Sequence, residues 1–244
     1  MNMYFKKLKT AAIYLALISF CTEFKSFAIN ISPSTLVQQE ESTLNIFEKL
    51  NTKLNMNLTF INQNGKKETL KEILNDNKIL ILTLNYFSCT TMCTFQFMNL
   101  SKSLNKMNWP IGKGFKIATI SFDPKDTVNN AKLLQKTWVP KTGQDNAQWN
   151  FYVSDKKNIE SITQQLNFYY APDAEGETYS HAGALYFIKP DGTFYRYLYG
   201  IVYEPEDIKH ALIESSNGTL GTFFEKLPLK FKKYQPNFGK YTKN

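Results

Sequence analysis

Apolar residues recur along this chain with two periods, one of strands and one of helices, and their alternation predicts a fold. Met56 to Ile61 alternates polar and apolar positions and runs into Asn62-Gln63-Asn64-Gly65, a turn signal, so it reads as part of an edge hairpin. Ile79-Leu80-Ile81-Leu82-Thr83-Leu84 is almost continuously apolar, as expected of a central strand covered on both faces. Phe97, Leu100, Leu104 and Met107 then share one helical face, and the pattern stops near Trp109-Pro110. Phe115 to Phe122 gives a second strand, and Ala131, Leu134 and Trp138 mark a helix that Pro140 ends. Trp149 to Val153 gives a third strand. Ser154 or Asp155 can cap a following helix whose buried stripe is Ile159, Ile162 and Leu166.

Strands that alternate with helices require right-handed crossovers and a largely parallel core. The end of the chain is different. Ala182 to Ile188 and Thr193 to Tyr199 flank the turn sequence Lys189-Pro190-Asp191-Gly192, which predicts an antiparallel hairpin. Pro205 suits the first turn of a last helix with Ile208, Ala211 and Leu212 on one face, and Asn217-Gly218 is its stop signal. The predicted class is α/β: a thioredoxin-like sheet flanked by helices, with an added N-terminal hairpin and a C-terminal hairpin and helix. Leu36 to Leu54, polar with scattered apolar residues, reads as a lead-in helix or linker.

Composition changes this picture only at the ends. With 43% hydrophobic and 20% charged residues in 244, the chain can form a core without disulfide staples. Lys6, Lys7 and Lys9 precede an apolar run from Thr10 to Phe20, and Ser26-Phe27-Ala28 follows, the layout of an export signal cleaved after Ala28. That run falls short of the roughly 20 residues that span a bilayer. Phe20 denies Cys21 the small-residue context of a lipid-modified cysteine, so Cys21 is assigned to the removed segment; the alternative is an uncleaved anchor. The expected plan is a signal at 1–28, a linker or lead-in helix at 29–44, a thioredoxin-like domain at 45–218 and a basic tail at 219–244. The domain is then exported, periplasmic or membrane-associated and facing the periplasm. Loss of four lysines and one glutamate takes the net charge from +8 to +5. Lys226, Lys230, Lys232, Lys233, Lys240 and Lys243 concentrate the excess in the tail, read as a solvated segment, with an acidic partner or an anionic membrane surface as the alternative. No nucleic-acid partner is expected.

The candidate chemistry sits where the central strand hands over to a helix, at Phe87-Ser88-Cys89-Thr90-Thr91-Met92-Cys93. A disulfide here would close a very small loop, which removes little entropy from the unfolded chain, so the pair reads as chemical rather than architectural. If Cys93 begins the helix, the helix end favours its thiolate and its pKa is expected to be depressed. Helical positions i and i+4 hold Cβ atoms about 5–6 Å apart, a bite for one soft ion. A disulfide needs about 3.5–4.5 Å, which Cys89 can reach by bending inward from the loop. A redox dithiol, a metal site and an inert buried pair all stay open on spacing alone. His181, in Tyr179-Ser180-His181-Ala182-Gly183 before a strand, adds an imidazole. Two thiolates and an imidazole suit Cu(I), an added oxygen ligand could accommodate Cu(II), and zinc would ordinarily want a fourth protein ligand. Met92 and Met98 are thioethers near this loop; core packing is expected of both, with a copper handoff role as the alternative. His210 falls opposite the apolar stripe of its helix and reads as solvated.

Taken in order, the Cys89-to-Cys93 segment, Ser121-Phe122-Asp123-Pro124, His181, and Lys189-Pro190-Asp191-Gly192 through Tyr197-Leu198-Tyr199-Gly200 resemble the SCO/SenC family, over roughly Asn45 to Ser216. Thr90 and Thr94 stand where many relatives carry proline. The resemblance implies a thioredoxin-fold, copper-binding protein that helps build the binuclear copper centre of cytochrome c oxidase, some members acting as thiol-disulfide reductants. It implies Cys89, Cys93 and His181 as copper ligands, with Cys89 and Cys93 as the redox pair if the chain is a thiol-disulfide oxidoreductase. Asp123 matches an acidic family position that tunes or completes the site, its other reading being a helix cap. The implied partners are the copper-accepting domain of an oxidase subunit and a thiol reductant.

Overall fold

The computed structural model describes residues 48–216, 232–235 and 239–243. Seven strands form one sheet in the order β2-β1-β5-β4-β3-β8-β9. Its centre is β3 (Ile79–Asn85), β4 (Phe115–Ser121) and β5 (Trp149–Val153), which pair in parallel as the alternating pattern predicts. All seven residues of β3 are buried, which explains why its sequence does not alternate. The polar groups this buries are satisfied internally: Thr83 Oγ1 and Thr119 Oγ1 lie 2.8 Å apart, and Trp149 Nε1 donates to Thr119 Oγ1 at 2.9 Å. Crossovers run through helices α2 (Met92–Met107) and α3 (Val128–Trp138), and α4 (Lys156–Gln165) follows β5.

Antiparallel elements extend both edges. β1 (Thr59–Asn62) pairs with β2 (Lys67–Thr69) and with β5, and a single turn of helix, α1 (Leu70–Ile73), follows. β1 starts three residues later than its alternation suggests, because the carbonyls of Met56 and Leu58 turn aside to accept the N–H groups of Lys71 and Leu70 at 2.9 and 2.8 Å. On the other side β8 (Ala184–Ile188) pairs antiparallel with β3 and with β9 (Phe194–Tyr199), and α5 (Pro205–Ser215) closes the described domain. Two short strands leave the sheet: β6 (Tyr170–Pro172) and β7 (Tyr179–His181) form their own ladder, with Tyr170 opposite His181. β8 therefore begins at Ala184 rather than Ala182. Gly183 is the break, lying so close to Gly200 O and Ile201 Cγ2 that a Cβ there would meet each at 2.8 Å.

Two expectations about the C-terminal part are overturned. The basic tail contains a hairpin, β10 (Lys232–Gln235) and β11 (Lys240–Lys243), that packs on the domain. Tyr234 donates its hydroxyl hydrogen to Tyr197 O at 2.9 Å, and Tyr241 donates to Glu214 Oε2 at 2.6 Å, an oxygen that also receives Arg196 Nε at 2.8 Å. The same docking buries His210, which the helix pattern alone assigns to solvent: its ring lies 5.3 Å from that of Tyr241. The signal at 1–28, the linker at 29–44 and the Asn217-Gly218 stop lie outside the described residues. Among those described, no helix is long and apolar enough to cross a membrane.

Candidate metal centre

β3 delivers the chain to the carboxyl end of the parallel strands, where ligand-binding loops of open α/β sheets gather. Tyr86 and Phe87 remain buried, and the backbone surfaces at Ser88. Asp126 tethers this exit: its Oδ2 accepts the Phe87 N–H at 2.7 Å and the Ser121 hydroxyl at 2.5 Å. Thr94 Oγ1 donates to Cys89 O at 3.2 Å, tying the loop to the first turn of α2.

The first turn of α2 is where the thiols acquire unlike character. Thr91, in the N-cap position, makes no side-chain capping bond. The orphan amides of a helix start need an acceptor, and the Cys89 sulfur supplies one. A hydrogen bond from the Cys93 thiol, another from the Tyr86 hydroxyl, and the backbone N–H groups of Cys93 and Thr91 together hold the partly exposed Cys89 well below the ordinary thiol range. Cys93 is pushed the other way, by that same bond to Cys89 and by burial. The Tyr86 hydroxyl, buried and bonded to Cys89, is raised to about 12. The expectation that Cys93 carries the depressed pKa is thus reversed. Cys93 is the second residue of the helix and points into the core, so the field of the helix end acts on the loop thiol instead.

His181 reaches this pair from β7. Its Nε2 lies 3.6 Å from Cys93 Sγ, and its Nδ1 lies 3.2 Å from Ala182 O. A carbonyl can only accept, so the proton belongs on Nδ1 and the Nε2 lone pair faces the thiol. Burial keeps the imidazole below its ordinary pKa and so neutral at neutral pH. The rings of Phe122, Phe168 and Tyr86 enclose it at centroid distances of 5.0, 5.7 and 6.0 Å.

Asp123 is buried near the same place but caps no helix: Thr127 is the N-cap of α3, accepting Asn130 N–H at 3.3 Å. The Asp123 carboxylate accepts Lys125 N–H at 2.9 Å and the hydroxyl of Tyr179, two residues before His181. Met92 and Met98 are not core residues: they are 54% and 44% exposed. Asp126 and Tyr86 are site residues that sequence reasoning passes over. Their only signals are a second acid three positions after Asp123 and a hydroxylated ring at the end of an apolar strand.

Among the described residues no three His, Cys, Asp or Glu side chains already surround one ion position. The donor types nonetheless suit a soft ion. A thiolate, a thiol that can ionise against it and a neutral imidazole favour copper over hard cations. The 3.6 Å between Cys93 Sγ and His181 Nε2 is also the span of a sulfur and a nitrogen bound to one metal at about 2.3 and 2.0 Å.

A parallel α/β core with a dithiol at the end of its central strand defines the class, a thioredoxin-like protein. Residues 48–215 match the SCO1/SenC family model, and the chain belongs to that family. No curated protein matches it at the same stringency. Solved structures share the fold. A protein from Aquifex aeolicus VF5, provisionally described as an electron transfer protein, matches with 24% identity and a TM-score of 0.62 over 70% of this chain and 96% of its own. Yeast Sco1 with copper bound matches with 16% identity and a TM-score of 0.55 over 72% and 94%. BsSco, described as a member of the Sco family of cytochrome c oxidase assembly proteins with a disulfide switch, matches with 22% identity and a TM-score of 0.50 over 70% and 99%.

Proposed function

We propose that this chain is an exported copper metallochaperone, with copper as its cargo, serving assembly of a cytochrome c oxidase copper centre. The observation that carries the proposal is the approach of His181 Nε2 to Cys93 Sγ at 3.6 Å beside the low-pKa Cys89. Cys89, Cys93 and His181 would hold the ion, Cys89 turning inward from its loop to join the other two. Asp123 would tune the site through Tyr179, and Asp126 would keep the loop in reach. Copper bound to yeast Sco1 and the assembly role described for BsSco support the reading, as does an N-terminal segment with the layout of an export signal. The cysteines must be reduced to bind, so an exported chain needs a thiol reductant as a second partner. Titration of the reduced protein with Cu(I) tests the proposal: one tight site per chain is expected, and affinity unchanged in His181→Ala removes the histidine from the site.

The split between the two thiols favours one other reading, a thiol-disulfide oxidoreductase. The Cys89 thiolate would attack a disulfide of an exported protein, and Cys93 would resolve the mixed disulfide. The substrate gains two electrons and the chain is left with a Cys89–Cys93 disulfide. A mixed disulfide trapped by Cys93→Ser, with His181 dispensable, would favour this reading over the first.

A further inference from the structure

The described domain exposes six large hydrophobic side chains, and four of them belong to two segments bonded to one another: Met92, Phe95 and Met98 on α2, which starts at the cysteine loop, and Val202 on a loop held to that helix. Three occupy one stripe of α2. Met92, Phe95 and Met98 follow one another at helical spacing on the solvent face, and the next exposed positions of the helix are Lys102, Asn105 and Lys106. The stripe is therefore apolar only over the two turns nearest Cys93 and turns basic where the helix leaves the site. Incidental exposure would have no reason to stop there.

Val202 extends the patch across a tightly held loop. Its neighbours on both sides are bonded to α2: Asn99 Nδ2 donates to Ile201 O at 3.0 Å, Ser103 Oγ donates to Tyr203 O at 2.5 Å, and Gln96 Nε2 donates to Tyr203 Oη at 2.7 Å. Gly200 N–H donates to Gly183 O at 2.8 Å, which fastens this loop to the segment just after His181. With Tyr203 buried, Val202 is left 66% exposed. The apolar collar is thus built on α2, which presents Cys93, and on a loop fastened to the segment that follows His181.

We infer that Met92, Phe95, Met98 and Val202 form the docking face for the copper-accepting domain, which seats an apolar surface of its own on the collar and an acidic rim against Lys102 and Lys106. The inference rests on the copper chaperone reading. Ligand exchange brings the acceptor's own thiol or imidazole donors up to Cys89. Met92 lies in sequence between the two cysteines, so a partner that reaches them covers it. The charge is one-sided as well, since α2 has no acidic residue to repel such a rim. Burial of exposed apolar anchors at the centre of a patch with charges at its border is the usual anatomy of a specific interface.

The test uses the full chain, Cu(I)-loaded, and the purified soluble copper-binding domain of the oxidase subunit, comparing wild type with Phe95→Gln/Met98→Gln. The variant should load one copper per chain with wild-type affinity yet transfer it about tenfold more slowly at low acceptor concentration, the loss expected of interface anchors. Lys102→Glu should slow transfer at low salt and converge on wild type at high salt. Equal transfer rates in wild type and the apolar variant would overturn the docking face while leaving the chaperone reading intact. Failure of wild type to bind or transfer copper would overturn both. A wild-type dimer that the apolar variant dissociates would show that a second copy of this chain occupies the face, which also overturns the proposal.

Discussion

His181 and His210 are the chain's two histidines, and each packs against aromatic rings. Around His181 stand Phe122, Phe168 and Tyr86, and the ring nitrogen that faces outward from its own backbone contact meets a thiol. His210 lies under Tyr241, in a neighbourhood where hydroxyls, Arg196 and Glu214 answer one another across the seam between α5 and the C-terminal hairpin. Burial and aromatic surroundings are common to both, so neither marks a site. What separates them is the neighbour. A soft, ionisable sulfur beside a neutral imidazole is unfinished chemistry, whereas a carboxylate shared between an arginine and a tyrosine is complete as it stands.

The largest effect should come from removing each imidazole in turn. His181→Ala is expected to weaken Cu(I) binding by at least the roughly 100-fold that loss of even an outer-shell partner can cost. His210→Ala should leave copper affinity unchanged and lower the unfolding midpoint. Competition titration against a Cu(I) chelator reads the first, urea denaturation the second. Equal losses of copper affinity in both variants would break the comparison.

The contrast between the two cysteines is next in size and can be read by pH. Cys89 is held below the ordinary thiol range, so its thiolate persists as the pH falls from 8 towards 6, where an ordinary thiol of pKa about 8.5 has lost almost all of its reactive form. Cys93 is buried and pushed upward, so it stays protonated over that range. Iodoacetamide at pH 6 should modify Cys89 at least tenfold faster than Cys93 in the folded, metal-free protein, as peptide mass analysis would show. Preferential labelling of Cys93 would reverse the assignment of nucleophile and resolving thiol.

These two contrasts also mark how far sequence carries. The continuous apolar run at Ile79–Leu84, the helical stripe through Phe97 and Met107, and the Pro190-Asp191-Gly192 hairpin are local patterns, and the strands and helices they predict are present. Which thiol is acidic is not a local property. It depends on where the Cys89 sulfur lies over the first amides of α2, and a spacing of four residues is compatible with either arrangement. His210 illustrates the same limit, since the strands that bury it, Lys232–Gln235 and Lys240–Lys243, lie far along the chain and carry four lysines in eight residues. Asp126 is invisible for a similar reason: it works by accepting a backbone N–H from Phe87, and main-chain donors leave no mark in a sequence.

At the hairpin, hydroxyls are expected to matter to stability and not to copper. Tyr241→Phe removes a donor to Glu214 Oε2 at 2.6 Å, in a pocket where the ring itself is buried. Loss of a bond to a charged, part-buried acceptor should cost about 1–3 kcal/mol in a urea melt, with copper stoichiometry still one per chain. A fall in copper affinity in this variant would mean that the hairpin and the metal centre are coupled.

The smallest effect should be that of the corresponding hydroxyl at the site, and it sharpens the comparison most. Tyr86 donates to the Cys89 sulfur and is itself raised to about 12, so its proton stays in place across the physiological range. In Tyr86→Phe the ring remains to pack against Phe122 and His181, while the thiolate loses one of several donors. One hydrogen bond is worth about 0.5–1.5 kcal/mol net, or roughly a two- to tenfold change in an equilibrium. The sign follows from which form is stabilised: losing a donor to the thiolate raises the Cys89 pKa, so the pH at which Cys89 labelling falls to half, which lies below pH 6 in the wild type, should move up by about 0.4–1 pH unit, while labelling at pH 9 is unchanged. Thermal stability should change little, because the buried ring is retained. If Tyr86→Phe instead lowers stability as Tyr241→Phe does and leaves labelling untouched, Tyr86 is architecture like its counterpart at the hairpin, and the acidity of Cys89 is the work of the helix amides and Cys93 alone.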